Sequence, residues 1–382
     1  MKFNKWTLGL AAVGVVSLAS AVKAEEKLSA VQSALSSTTI SGYVDTSLEW
    51  TIAPNEESTG VMTLIPFRGQ NKQDGFNLNV VKLSFEKPLE EGEWASGYKL
   101  DLLAGPDAVG YNASANSAGT SDFGIKQAYI ALRTPIGNGL DWKVGVFDTI
   151  IGYESFESGN NPNFTRSWGW AAEPTQHTGV LASYKFNENV AATFGIANTL
   201  SAGINNRNTE LTQNHSFGRK TWMASLSLTA PESMGALKGS TLYFGIVDGF
   251  AGSPAASPSG STEDQLNLYV GATVATPVKG LKVGAALDYV ENFGGVDGRQ
   301  IWVAGVYASF QATEKLSLHA RGEYGEFDNL ASGYSLTGTL QYDLWANVIS
   351  RLELRWDEAD VTGASNNFER HLGFYANLIY KF

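Results

Sequence analysis

The chain has no cysteine among its 382 residues. That absence removes disulfide frameworks, thiolate metal sites, covalently attached haem and thiol nucleophiles from consideration. Beyond its first two dozen residues it has no run of about 18 apolar residues, so no transmembrane helix is written here. Basic residues are few, 27 Lys and Arg against 38 Asp and Glu. Nucleic acid is not expected as a partner, because phosphate binding needs clustered basic side chains. Acyl transfer needs a serine and a histidine held by a third group. The four histidines (His177, His215, His319 and His371) lie in no nucleophile motif such as G-x-S-x-G. No H-E-x-x-H, phosphate loop or dinucleotide fingerprint appears either. Glu263 and Asp264 could hold Ca²⁺, but nothing has EF-hand spacing. The expectation is a non-enzymatic protein with no cofactor and no metal.

What is present begins at the N-terminus. Lys2 and Lys5 precede an apolar core from Trp6 to about Ala19, and Val22-Lys23-Ala24 supplies small residues where a signal peptidase reads. This is the layout of a secretory signal peptide, cleaved between Ala24 and Glu25. Removing Lys2, Lys5 and Lys23 leaves 24 basic and 38 acidic residues, a net charge of −14. Residues 25–37 have Leu28, Val31 and Leu35 at helical spacing, which suggests a short periplasmic or plug segment.

From residue 38 to 382 the chain reads as short segments alternating apolar and polar, split by Gly, Pro, Asn, Asp and Ser. Period two is what a strand shows when its faces meet different surroundings. Along residues 348–357, Leu352, Leu354 and Trp356 occupy one face and Arg351, Glu353, Arg355 and Asp357 the other. Four charges on one face cannot enter a sandwich core; they suit a wet lumen. Sixteen such segments are predicted, near 38–51, 75–87, 94–105, 123–134, 140–150, 176–187, 190–199, 219–230, 240–250, 264–276, 281–290, 300–311, 315–326, 333–343, 347–358 and 368–382. Single-chain bacterial barrels have even strand counts, and sixteen strands leave an aqueous channel. The fold class expected is all-β, a transmembrane antiparallel barrel of 14–18 strands with short periplasmic turns and long extracellular loops. Tryptophans and tyrosines near strand ends (Trp50, Trp94, Trp142, Trp345, Trp356, Tyr380) suit the two membrane interfaces. The last strand closes on Tyr380 and Phe382, like the terminal signal that outer-membrane assembly machinery recognises in a Gram-negative cell.

Residues 148–179, DTIIGYESFESGNNPNFTRSWGWAAEPTQHTG, break the strand rhythm. With the preceding VGVFD and the following VLASYKF, the stretch resembles the signature region of the OmpL-like family of β-barrel porins. The opening GYVDTSLEW and the FNLNVVKLSFEKPL hairpin look like that family too. The resemblance implies an outer-membrane porin, but neither a substrate nor site residues. Physically, a long polar segment after a strand can fold inward and narrow a pore, whose width and charges then set selectivity. The pore-lining or constriction candidates are Asp148, Glu154, Glu157, Arg166 and Glu173 on the segment. Arg321, Glu323, Arg351, Glu353, Arg355 and Asp357 on the wall complete the set. The expected partners are the lipid bilayer with lipopolysaccharide, the assembly machinery, small hydrophilic solutes or ions and a second and third copy in a homotrimer. The overall acidity suggests a mild cation preference. A non-conducting scaffold barrel, either a sheath for a periplasmic partner or an adhesin acting through its outer loops, is the alternative, ahead of a barrel-embedded hydrolase.

Overall fold

The structure is a computed structural model. It describes residues 37–54, 72, 74–109, 111, 121–200, 202–205, 219–251, 263–328, 331–361 and 368–382. The leader, the Ala24–Glu25 junction, His215 and nearly all of segment 25–37 lie outside the described residues.

Sixteen strands form one closed antiparallel barrel in sequence order. They are β1 (Thr39–Pro54), β2 (Gly75–Lys87), β3 (Ser96–Ala104), β4 (Phe123–Thr134), β5 (Leu140–Asp148), β6 (Gln176–Lys185), β7 (Val190–Ala197) and β8 (Thr221–Thr229). The circuit continues through β9 (Thr241–Phe250), β10 (Asp264–Ala275), β11 (Leu281–Glu291), β12 (Ile301–Gln311), β13 (Leu316–Phe327), β14 (Ala331–Trp345), β15 (Val348–Val361) and β16 (Phe368–Lys381). The ladder from Tyr43↔Lys381 to Thr51↔Gly373 joins first to last. Closure leaves no strand edge, and lipid tolerates no unpaired backbone. Every predicted strand is present, each end within three residues of its expected place.

The dyad decides which way each side chain points. Leu336, Leu340, Leu352, Leu354 and Leu378 stand exposed on the outside, whereas the alternate residues Thr337, Thr339, Arg351, Glu353 and Asn377 are buried inside. Hydrocarbon is the environment that such an apolar exterior requires. Outward aromatics pair across neighbouring strands at the long-loop end, Trp302 with Tyr324 and Tyr334 with Trp356, each with ring centroids 5.2 Å apart. At the opposite rim stand the exposed Trp94, Trp345 and Tyr380. The connections are short at this second end; in the turn after β4, Gly137 and Gly139 take up positive φ (58° and 98°) that only glycine adopts freely.

Two bulges alter the inward face. Between β1 and β2 the register slips at Asp45/Thr46, so Asn79 and Val80 are both buried. Between β3 and β4 it slips at Asp101/Leu102, which turns Lys126 and Gln127 inward together. An extra residue in one strand re-aims its side chains in this way.

The lumen is not uniformly wet. Inward residues of eight consecutive strands, among them Phe147, Leu181, Met223, Val247, Tyr269 and Tyr307, form a buried apolar cluster with Ile151 and Leu200. Ile151 belongs to the connection between β5 and β6, and that segment occupies the interior.

Candidate functional site

Residues 149–175 leave the wall at Asp148 and rejoin it at Gln176. A loop at this depth must satisfy its own backbone polar groups, because little water reaches them. Part of the solution is internal. The Asn161 side chain accepts from Ser155 N (2.8 Å) and donates to Ser155 O (2.8 Å), closing a turn around the single-turn 3₁₀ segment Ser158–Asn160. The five-residue helix α1 (Trp168–Ala172) is capped by Ser167, whose Oγ accepts from Trp170 N at 3.0 Å. Arg166 is turned back on its own segment, donating to Phe164 O at 2.8 Å and Phe156 O at 2.5 Å.

The wall supplies the rest, by two different chemistries. On the β9–β12 side the contact is apolar and shape-matched. Tyr153 stacks on Tyr307 with centroids 4.0 Å apart and planes 19° from parallel. A Cβ on Gly284 would collide with the Tyr153 hydroxyl, and one on Gly245 with Ile151. These glycines are sockets for loop side chains. Tyr243 adds a hydrogen bond from its hydroxyl to Ile150 O at 2.5 Å.

On the β13–β15 side the contact is ionic. Arg321 pairs with Glu154 (2.7 Å) and Glu323 (2.9 Å) and donates to Thr165 O (2.7 Å) and Arg166 O (3.2 Å). Arg351 donates to Ser158 O and Asn161 O, both at 2.9 Å. Glu353 accepts from the backbone N–H of Phe164 (2.6 Å) and Thr165 (2.9 Å), and Glu323 from that of Trp168 (2.7 Å). Arg355 forks onto Asp357 at 2.7–3.0 Å and gives its remaining nitrogen to Arg166 O at 2.5 Å. Arg321, Arg351 and Arg355 are at most 2% exposed. The charged face of β15 reads in the sequence as a water-facing surface; in the fold, loop backbone takes the place of that water. Buried charges are tolerable because Arg321 and Arg355 are ion-paired and Arg351 and Glu353 are held by several hydrogen bonds each.

The third side differs. Glu157 reaches Lys82 on β2 at 2.5 Å, and Lys82 also pairs with Asp101 at 2.9 Å. Burial works to raise the Glu157 carboxyl, but the Lys82 ammonium, Lys126 and a backbone hydrogen bond together outweigh it and hold the group below its ordinary range. Asp148 pairs with the buried Lys126, whose ammonium also lies 5.3 Å from the ring centroids of Tyr111 and Phe156. Near the end of the loop Glu173 hydrogen-bonds Asp288 on β11. Burial first, and the Asp288 charge second, push the Glu173 carboxyl well above its ordinary range. Below this side a cavity of about 420 Å³ opens between the loop and the arc from β16 through β1 to β5.

All five loop candidates thus have a place in this assembly, and all six wall candidates meet the loop or one another. Sequence reading did not single out Lys82, Lys126, Asp288 or the tyrosine and glycine sockets. Lys126 sits in a bulge that turns it inward beside Gln127, where strict alternation would have aimed it outward. His319 lies between Ser309 (2.9 Å) and Ser317 (3.0 Å), both ring nitrogens engaged by hydroxyls rather than by an orienting carboxylate. Among the described residues, no group of three or more His, Asp or Glu could hold a metal ion. At the closing seam the Phe382 ring packs over Gly42, and the two backbones exchange hydrogen bonds of 2.9 and 3.0 Å.

The profile of the family described as "Putative beta-barrel porin-2, OmpL-like" matches residues 37–382, the entire barrel. The chain belongs to this porin family. No curated protein matches the porin. Its fold is that of solved outer-membrane channels. The channel DcaP of Acinetobacter baumannii is 14% identical, with 90% of this chain and 97% of that one covered and a TM-score of 0.56. The anion-selective porin of Comamonas acidovorans is 13% identical, with 90% and 99% covered and a TM-score of 0.58. OprB of Pseudomonas putida is 10% identical, with 92% and 96% covered and a TM-score of 0.60. The porin is therefore an outer-membrane β-barrel protein, and identities this low carry the fold alone.

Proposed function

We propose that this porin forms a water-filled channel for passive diffusion of small hydrophilic solutes, narrowed by residues 149–175. The observation that carries the reading is the seat of that segment: it lies inside the ring of strands, packed on apolar side chains from β9 to β12 and on charged ones from β13 to β15. Those two sides are filled, so the passage runs along the remaining arc, past Asp148, Glu157 and Lys82. The wall charges Arg321, Glu323, Arg351, Glu353, Arg355 and Asp357 act by fixing the constriction rather than by meeting the solute. On the same reading the leader is removed between Ala24 and Glu25, and Tyr380 and Phe382 present the assembly signal. The barrel faces bilayer lipid and lipopolysaccharide and works as a homotrimer.

The test is single-channel conductance of the purified protein in a planar bilayer. Deleting residues 154–170 removes the Glu154, Tyr111-facing Phe156 and Thr165 contacts and should raise the conductance. An unchanged value in a correctly assembled barrel would show that the segment does not constrict the pore, and a wild-type barrel without open-channel steps would overturn the channel itself.

A further inference from the structure

The cavity on the open arc has a polarity of its own. Its wall side, built by β16, β2 and β3, presents Lys381, Lys82 and Lys99. Its loop side presents Glu157 and, at the loop's root, Asp148. Glu86, opposite Lys99 in the ladder and 3.2 Å from its Nζ, brings the lining to three cationic and three anionic side chains. Among the described residues the lining carries no net charge, although the sequence as a whole stands at −11.

A lining that presents both signs side by side, with Glu157 paired to Lys82 (2.5 Å), Glu86 to Lys99 (3.2 Å) and Asp148 to Lys126, has a definite physical consequence. A small ion of either sign meets attraction and repulsion in near-equal measure, so the field gives little selectivity by sign. A solute carrying both signs can place its ammonium toward the carboxylates and its carboxylate toward the lysines, and gains from both at once. The size fits, since sites for small molecules span about 300–1,000 Å³ and this one measures about 420 Å³. The hydroxyls and amide of Ser41, Ser84 and Gln127 add groups for a polar solute. We propose that this cavity is a subsite for small zwitterionic solutes, the class of free amino acids, and that the porin passes them faster than uncharged solutes of equal size. The proposal rests on the channel reading above. It departs from the cation preference that overall acidity suggests, because the excess negative charge lies elsewhere on the chain.

Swelling of liposomes containing the purified porin tests it, with L-glutamine as the zwitterion and the pentose arabinose as an uncharged solute of similar mass. Two exposed charge contacts at about 0.2–1 kcal/mol each correspond to a glutamine rate roughly two- to thirtyfold above the arabinose rate. Lys99→Gln with Lys381→Gln removes wall charges that hold no loop backbone, apart from a 3.4 Å contact of Lys381 with Gly159 O. That double variant should bring the two rates together while leaving arabinose entry unchanged. Its reversal potential in a KCl gradient should also move toward cation selectivity from a wild-type value near zero. Equal rates in the wild type, or an advantage that survives the double variant, would overturn the zwitterion subsite and leave the channel intact. No swelling with either solute would overturn the channel reading instead.

Discussion

Arg321→Met is the sharpest perturbation of the constriction. The side chain is buried on β13 and joins both halves of the loop, through Glu154 at one end and the carbonyls of Thr165 and Arg166 at the other. Methionine fills much of the volume but supplies no donor. Glu154 and Glu323 would both lose their guanidinium partner, and removing one member of a buried ion pair costs about 3–5 kcal/mol. The two carbonyls would lose a charged donor, at about 1–3 kcal/mol apiece if nothing replaces it. Some of this is recovered when a carboxylate takes up a proton or water enters, so a net cost near 5 kcal/mol is the working figure. A bias of about 5.5 kcal/mol shifts a two-state equilibrium by about 10⁴-fold, enough to undock this side of the loop if the docked state is favoured by no more than that. The barrel itself should persist, since its hydrogen bonds run between strands and none passes through this side chain. The expected result is a larger and noisier single-channel conductance, new protease cleavage between residues 154 and 170, and an unchanged heat-modifiable band on gels. Wild-type conductance together with wild-type protease resistance would show that the ionic network does not hold the loop.

Two further perturbations address the other anchors. Gly284→Val places side-chain atoms where the Tyr153 hydroxyl lies, which should break the Tyr153–Tyr307 stack, worth about 0.5–1.5 kcal/mol beyond its burial. Conductance should rise modestly, whereas Gly338→Val, where an added Cβ meets nothing within 4 Å, should leave it alone; equal behaviour of the pair would refute the socket. Glu173 gives a pH dependence whose sign is fixed. Its carboxyl is raised in the docked loop by burial and by Asp288, so its contribution to docking is full below the ordinary glutamate pKa of about 4.3 and is lost as pH climbs through the raised value. Protease access to the loop should therefore increase with pH. Glu173→Gln, which donates to Asp288 without ionising, should flatten that profile, and an unflattened profile would assign the titration to another group.

How much of this was legible before folding follows from the range of each interaction. The strands were legible because a strand's environment is written in its own two faces, as along Leu352, Leu354 and Trp356 against Arg351, Glu353 and Arg355. The loop was legible as an interruption of that period between β5 and β6, and the charges on it and opposite it were recognisable as candidates. What they touch was not. Tyr153 and its socket Gly284 are more than a hundred residues apart, and no local pattern marks a glycine as the place a distant ring will land. The bulges at Asn79 and Lys126 defeated the parity rule at the two positions where it mattered most for the open arc. The same limit explains why the β15 charges read as wet. Alternation distinguishes a polar inner face from an apolar outer one, but it does not say whether water or backbone fills the space within.

The two anchoring chemistries do different work. Apolar burial is non-directional, so the buried Ile151, at about 1.5–3 kcal/mol, and the partly buried Tyr153 hold the loop against the wall without fixing how it is turned. The guanidinium forks are directional: Arg321, Arg351 and Arg355 reach carbonyls at residues 158, 161, 165 and 166, and a loop shifted by one residue would leave them mispaired. A buried ionic network contributes little net stability against an apolar alternative, so its presence here is explained by placement rather than by strength. That placement leaves Glu157 and Asp148 facing the lysines of the open arc. On the proposed channel reading, the passage thus inherits its charge pattern from contacts made on the far side of the lumen, and a change at Arg355 or Glu353 should alter selectivity without touching any residue that a solute meets.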